Sequence, residues 1–223
     1  MGDAIGQMLP AAVGVAISPV PIIAVVLMLV SRRGRANGPA FVVGWVLGLA
    51  VLGGVLLAVA NSAGASDGGE PKTWVGVVKI LLGALLLLVA LREWRGRPRG
   101  DAEPATPKWM GALDSFTPVK ALGAGALLSS VNPKNTLLVA AGAAAIAGAG
   151  LSTGSEVVAY ALFVVIATIG VAAPIVISIV LGDRSAEVLD DLKRWMAANN
   201  AVIMAVLLLV LGVKMVGDGI GAL

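Results

Sequence analysis

Cysteine and histidine are both missing from this chain of 223 residues. Without cysteine there is no disulfide, no thiolate nucleophile and no sulfur-ligated metal; without histidine the usual proton shuttle at neutral pH is gone. Charge is scarce as well, at 13% of residues against roughly 25% in an ordinary soluble domain. Most soluble enzyme chemistries are thereby excluded, and no catalytic residue, cofactor or metal site is expected. What fills the chain instead is apolar: 58% of residues are hydrophobic and the mean hydropathy is +0.96. One water-soluble core cannot hide that much apolar surface, so the sequence reads as an all-α membrane protein whose first partner is the lipid bilayer. The formal charge of +3 does not point to nucleic acid. The basic residues sit in a few short loops, where they report membrane orientation.

A hydrocarbon core of ~30 Å takes ~20 apolar residues as helix. Ala4–Val30, Pro39–Ala60 and Val157–Leu181 carry no charge; Trp74–Leu91 is interrupted by Lys79, Ala121–Ala147 by Lys134, and Ala201–Val216 by Lys214 near its end. Six spans are expected. Arg32, Arg33 and Arg35 follow the first, Arg92, Arg95, Arg97, Arg99 and Lys108 the third, and Arg184, Lys193 and Arg194 the fifth. The intervening loops hold at most Lys72, so the basic loops are assigned to the cytoplasm and both termini to the outside. Asp3 stands where a signal peptide would be basic, and the first stretch is read as an uncleaved helix.

The polar segment 92–118, with Pro98, Pro104, Pro107 and Pro118, separates residues 1–91 from residues 119–223, two blocks of three spans each. An odd number of spans per block turns the second block over, which is the arrangement of an inverted repeat. Within spans one and four, Ala16 to Ile22 and Ser130 to Thr136 align with a polar-Pro step at the same place, Ser18-Pro19 and Asn132-Pro133. Proline is costly inside a helix and free of cost at its first position, and Ser and Asn are preferred caps. Both steps therefore read as helix starts halfway along an apolar segment, so that helices one and four are broken. Irregular backbone at that depth is tolerated where it is buried in protein or lines a cavity, and matched interruptions point to a transporter site. Two amide ends would converge there and favour an anionic group.

Lys134 follows the second step directly, and a charge at mid-membrane is costly enough to imply function. It suits a carboxylate, sulfate or phosphate. The substrate path is assigned to Ser18, Pro19, Pro21, Asn132, Pro133, Lys134 and Asn135, with Ser129 and Ser130 in second rank. Lys79 and Lys214 lie near span ends and snorkel, and Pro174, with only alanines before it, reads as a kink. A Ser130–Lys134 nucleophile pair is set aside because the Asn-Pro step lies between them. Gly44 and Gly48 permit close helix approach, either within the subunit or to a second copy. Val188, Leu189, Leu192, Trp195 and Met196 form an amphipathic stretch expected along the membrane surface, and Trp109, Met110, Leu113 and Phe116 hint at another.

Six spans in two inverted triplets, with Pro19-Val20-Pro21 in the first and Asn132-Pro133-Lys134 in the fourth, resemble the lysine exporter (LysE) superfamily over nearly the whole chain. Val20 stands where amino-acid exporters of that superfamily carry glycine. The Ile17-Ser18-Pro19-Val20-Pro21-Ile22-Ile23 pattern, Ser130-Val131-Asn132-Pro133-Lys134-Asn135 and the Gly212-Val213-Lys214-Met215-Val216-Gly217-Asp218 end are more similar to its GAP branch. That is the glycopeptidolipid- and sulfolipid-addressing family of actinobacteria. The resemblance implies a secondary transporter that exports an anionic glycolipid or other amphiphile across a bacterial plasma membrane. Export of a small amino acid, or a non-transporting scaffold within a larger lipid-export complex, stays open beside it.

Overall fold

The computed structural model describes residues 1–31, 33–62, 73–97 and 116–223, and among these every regular element is helical. The first half holds α1 (Gly2–Ala16), α2 (Pro19–Val30), α3 (Gly34–Ser62) and α4 (Thr73–Arg95). The second holds α5 (Pro118–Ser130), α6 (Pro133–Ala147), α7 (Thr153–Leu181) and α8 (Ser185–Ile220). Pro19, Pro118 and Pro133 each open a helix, where a fixed φ helps and the missing amide is not needed. Pro174 sits inside α7, which continues through it to Leu181. Arg32, Lys72, Pro98, Arg99, Pro104, Pro107, Lys108, Trp109, Met110 and Leu113 lie outside the described residues.

Gly34–Ser62, Thr73–Arg95 and Thr153–Ile220 are long and apolar enough to cross a membrane, and α1 with α2, bent by 45°, makes a fourth candidate. The protein is therefore embedded in a bilayer. Thr153–Ile220 has 68 residues, ~100 Å as one straight helix. Gly182, with φ 52°, interrupts it and opens a single 3-10 turn, Gly182–Arg184, before α8 begins. α5 and α6, at 13 and 15 residues, are each shorter than the ~20 residues a crossing takes.

The amphipathic stretch around Val188–Met196 is not a separate surface helix. It forms the first part of α8, which runs unbroken from Ser185 to Ile220. The reason is local: no glycine or proline interrupts residues 197–200, and Asn199 Nδ2 donates to Trp195 O at 2.8 Å. Asp190 pairs with Lys193 at 2.5 Å and Arg194 at 3.3 Å, and Asp191 with Arg194, so the polar turns are laced in helical form.

Burial follows the logic of a protein dissolved in hydrocarbon. Val43, Leu47, Val51, Val55 and Val59 of α3 point outward, while Gly44, Gly48 and Gly53 of the same helix are turned in or against a neighbour. Small residues let backbones approach where lipid offers no hydrophobic drive to associate. A β-carbon on Gly44 would lie 1.9 Å from Leu122 O, and one on Gly125 2.1 Å from Phe41 O, so α3 and α5 touch backbone to backbone. Gly83 and Gly212 do the same for α4 and α8, each within 3.0 Å of the other's carbonyl by the same measure. The Gly44–Gly48 face is thus spent inside the subunit and is closed to a second copy.

Candidate functional site

The two breaks have nearly the same backbone. Ser18 takes φ −63°, ψ 114° and Asn132 takes φ −63°, ψ 117°. Before them, Ile17 N–H donates to Val13 O at 3.0 Å and Val131 N–H to Leu127 O at 2.8 Å, closing α1 and α5 in the same way. Gly14, one turn before the first break, would set a β-carbon 3.3 Å from the side chain of Leu138, one turn after Lys134. α1 lies along α6, and α2 touches α5. The broken helices therefore pack against each other.

Their chemistry differs. At the first break Ser18, Pro19 and Pro21 are buried, and the Ser18 side chain makes no capping bond. Two of the first three positions of α2 are proline and have no amide proton, which leaves Val20 N–H as the free donor of that turn. The carbonyl of Ala16 is covered by α7, where a β-carbon on Gly170 would stand 1.6 Å from it. This break is sealed and close to neutral. The expected pair of bare amide ends converging on one anion is corrected accordingly, since prolines and a cap remove most of the donors.

At the second break the freed groups are bonded by side chains. Asn132 Oδ1 accepts from Lys134 N at 3.2 Å, and Asn135 Nδ2 donates to Leu128 O at 3.0 Å. Thr136 Oγ1 lies 2.9 Å from both Ser130 O and Asn132 O. Ser129 and Ser130 both donate back to Ala126 O, at 3.0 and 2.6 Å, as helical serines often do. Ser129 and Asn135 are fully buried, Ser130, Asn132 and Lys134 partly so, and Pro133 is exposed. Asn135 Oδ1 is buried without a partner among the described residues.

Lys134 is not a lone ammonium. Its Nζ lies 2.9 Å from Oε1 of Glu93, with side chains 23% and 19% exposed. Glu93 belongs to the last turns of α4, amid Arg92 and Arg95, where the sequence places it in a cytoplasmic linker. Glu93 and Thr136 are the two site residues that sequence reasoning missed. An acid set among arginines was a signal for the first; a hydroxyl four residues after a broken-helix cap was one for the second.

α4 and α6 part beyond this ion pair. Together with α3 they line a partly open apolar cavity of about 300 Å³, with residues such as Leu56, Val59, Val78, Leu82, Ala140 and Ala143. Ala140 lies ~9 Å along α6 from Lys134. One pair of helices thus presents a cation at one end and a hydrocarbon-lined recess further along.

No curated protein and no solved structure is a match for this chain. A family model described as Sap, sulfolipid-1-addressing protein, matches residues 8–221. With nearly the whole chain covered, from α1 to the end of α8, the protein belongs to the sulfolipid-1-addressing protein family.

Proposed function

We propose that the protein is a secondary transporter, not an enzyme, that moves an anionic glycolipid or related amphiphile across the plasma membrane. The observation that carries this reading is Lys134, on a helix that starts inside the bundle, held by a displaceable carboxylate, with an apolar recess further along the same helices. A sulfate or phosphate headgroup replaces Glu93 on the ammonium, and an acyl chain occupies the space between α3, α4 and α6. The family's connection with a sulfolipid supports the substrate class. A volume of about 300 Å³ is at the lower bound of ligand pockets, which suits one part of an amphiphile.

Six crossings arranged as two inverted triplets fit this reading. Exchanging α1, α2, α3 and α4 for α5, α6, α7 and α8 maps most of the observed neighbours onto one another. α3 packs on α5 as α7 does on α1, α3 on α6 as α7 on α2, and α2 on α8 as α6 on α4. The helix pairs α4–α8 and α3–α7 map onto themselves. In this arrangement the arginine-rich ends of α4 and of the α2–α3 turn lie in the cytoplasm, both termini lie outside, and the two triplets rock about the breaks.

The test uses purified protein in liposomes and the movement of a fluorescent sulfated glycolipid against a zwitterionic phospholipid. Lys134→Met removes one charge-assisted contact worth ~1.5–3 kcal/mol, so transport of the sulfated probe falls by about 10- to 150-fold. The elution profile of the detergent-purified variant stays unchanged. Transport that is equal in wild type and K134M removes Lys134 from the mechanism. No movement of either probe by wild type removes the transporter reading.

A further inference from the structure

Glu156 stands in the first turn of α7 and is 2% exposed, a rare situation for a carboxylate. Its Oε2 accepts from Asn61 Nδ2, in the last turn of α3, at 2.7 Å. Reversing the Asn61 amide would set its oxygen against the carboxylate, so this bond fixes which way the amide points. Two atoms are then left over. Glu156 Oε1 and Asn61 Oδ1 are both buried, and neither has a hydrogen-bond partner among the described residues.

A buried acceptor without a donor costs ~1–3 kcal/mol, and more when it is charged. The positive end of α7 favours the carboxylate but gives Oε1 no bond. Asn61 has already spent a donor on the other oxygen. The charged and titratable groups on the surrounding helices do not supply the missing contact. Tyr160, one turn along α7, donates its hydroxyl to Leu49 O at 2.6 Å. Lys79 of α4 makes no ion pair with Glu156 and reaches instead toward the end of α6, 3.7 Å from where a β-carbon of Gly148 would be. Asp3 of α1 is exposed and of the wrong sign, and Lys214 and Asp218 of α8 are occupied with each other at 2.5 Å. α3 and α6 bring no charged side chain to this end of the bundle.

We propose that Glu156 and Asn61 form a site for a small hard cation, sodium, distinct from the Lys134 site. Oxygens from a carboxylate and an amide suit such a cation. The site lies beyond the far end of α6, a helix ~22 Å long whose first turn carries Lys134. It tethers α3 to α7, the pair that the inverted arrangement maps onto itself. Ion occupancy there would bear on how those helices sit, whatever the cargo. The inference does not depend on lipid export.

Thermal unfolding of the detergent-purified protein, without any transport substrate, tests it. Wild type and Glu156→Gln are compared in sodium chloride and in choline chloride at equal ionic strength and pH. A sodium site raises the wild-type midpoint by a few degrees in sodium over choline. E156Q, whose side chain keeps the shape without the charge, loses that rise. If E156Q does not fold, Asn61→Ala decides, with a reduced sodium response expected. A response to sodium that is the same in wild type and variant, or absent from wild type, overturns the proposal.

Discussion

At Ser18 and at Asn132 the backbone follows the same path, to within 3° in ψ, yet the two places are built for different work. Around the first, two prolines strip out donors, a buried serine makes no cap, and Gly170 brings α7 down onto the Ala16 carbonyl. Around the second, asparagine and threonine side chains bond the freed groups, and a partly buried lysine meets a glutamate. The shared backbone follows from proline at the first helical position, and the difference follows from everything else. A break is thus a mechanical element that does not itself determine a binding site; charge and access do. One half of the molecule holds a sealed break and the other a break that carries a lysine paired with a glutamate.

That asymmetry can be broken most sharply by moving the charge. Val20 corresponds to Lys134 in the aligned steps, and Val20→Lys places an ammonium in the first break, where the flanking Ser18, Pro19 and Pro21 are buried. A charge near the middle of a span costs ~3 kcal/mol or more. V20K is therefore expected to lose most of its folded yield, and to give no rescue when combined with K134M. Folded V20K/K134M that moves the sulfated probe in liposomes would show the two breaks to be interchangeable. Next in size is Gly170→Ala. A β-carbon there would stand 1.6 Å from a backbone oxygen, which cannot rotate away, so overpacking of ~1–3 kcal/mol follows. The measurement is the unfolding midpoint in detergent.

Much of this was legible in the chain, and what was not has a physical reason. Proline acts on its own residue and the one before, so Pro19 and Pro133 announce helix starts wherever the rest of the fold lies, while Pro118, read as part of the linker, also opens a helix. Glycines at Gly44 and Gly48 announce close approach, but carry no record of which helix approaches; α5 rather than a second subunit fills that face. Lys134 was visible as a charge in an apolar run, while Glu93 lies at a span end, where charge is ordinary, and its partner is distant in sequence. The Asn61–Glu156 bond spans 95 residues. Both residues lie near span ends, where polar side chains are ordinary, so only the packing of α3 against α7 singles them out. The long α8 was mistaken because an amphipathic pattern and an apolar pattern in succession look like two helices when no glycine or proline is there to say whether they part.

The caps give the finer test of the comparison. Asn132→Ala removes the side-chain oxygen that accepts from Lys134 N at 3.2 Å, and loss of such a cap costs ~1 kcal/mol. It also frees that amide beside the ammonium, so the unfolding midpoint falls while binding of the sulfated probe is retained. A larger loss of probe binding than of stability would mean that Asn132 touches the substrate.

Ser18→Ala is the smallest expected change and the most informative about the first break. A serine that capped α2 would cost ~1 kcal/mol to truncate, in line with Asn132. Here the hydroxyl makes no capping bond, and the turn it precedes has few amides left to cap. Removing the hydroxyl deletes a buried polar group and leaves no donor stranded, so the change in stability is held to within ~0.5 kcal/mol of wild type. Transport is expected to be unchanged. A drop in midpoint as large as that of N132A would show that Ser18 does bond the start of α2, and the contrast between a sealed hinge and a polar one would reduce to the lysine alone.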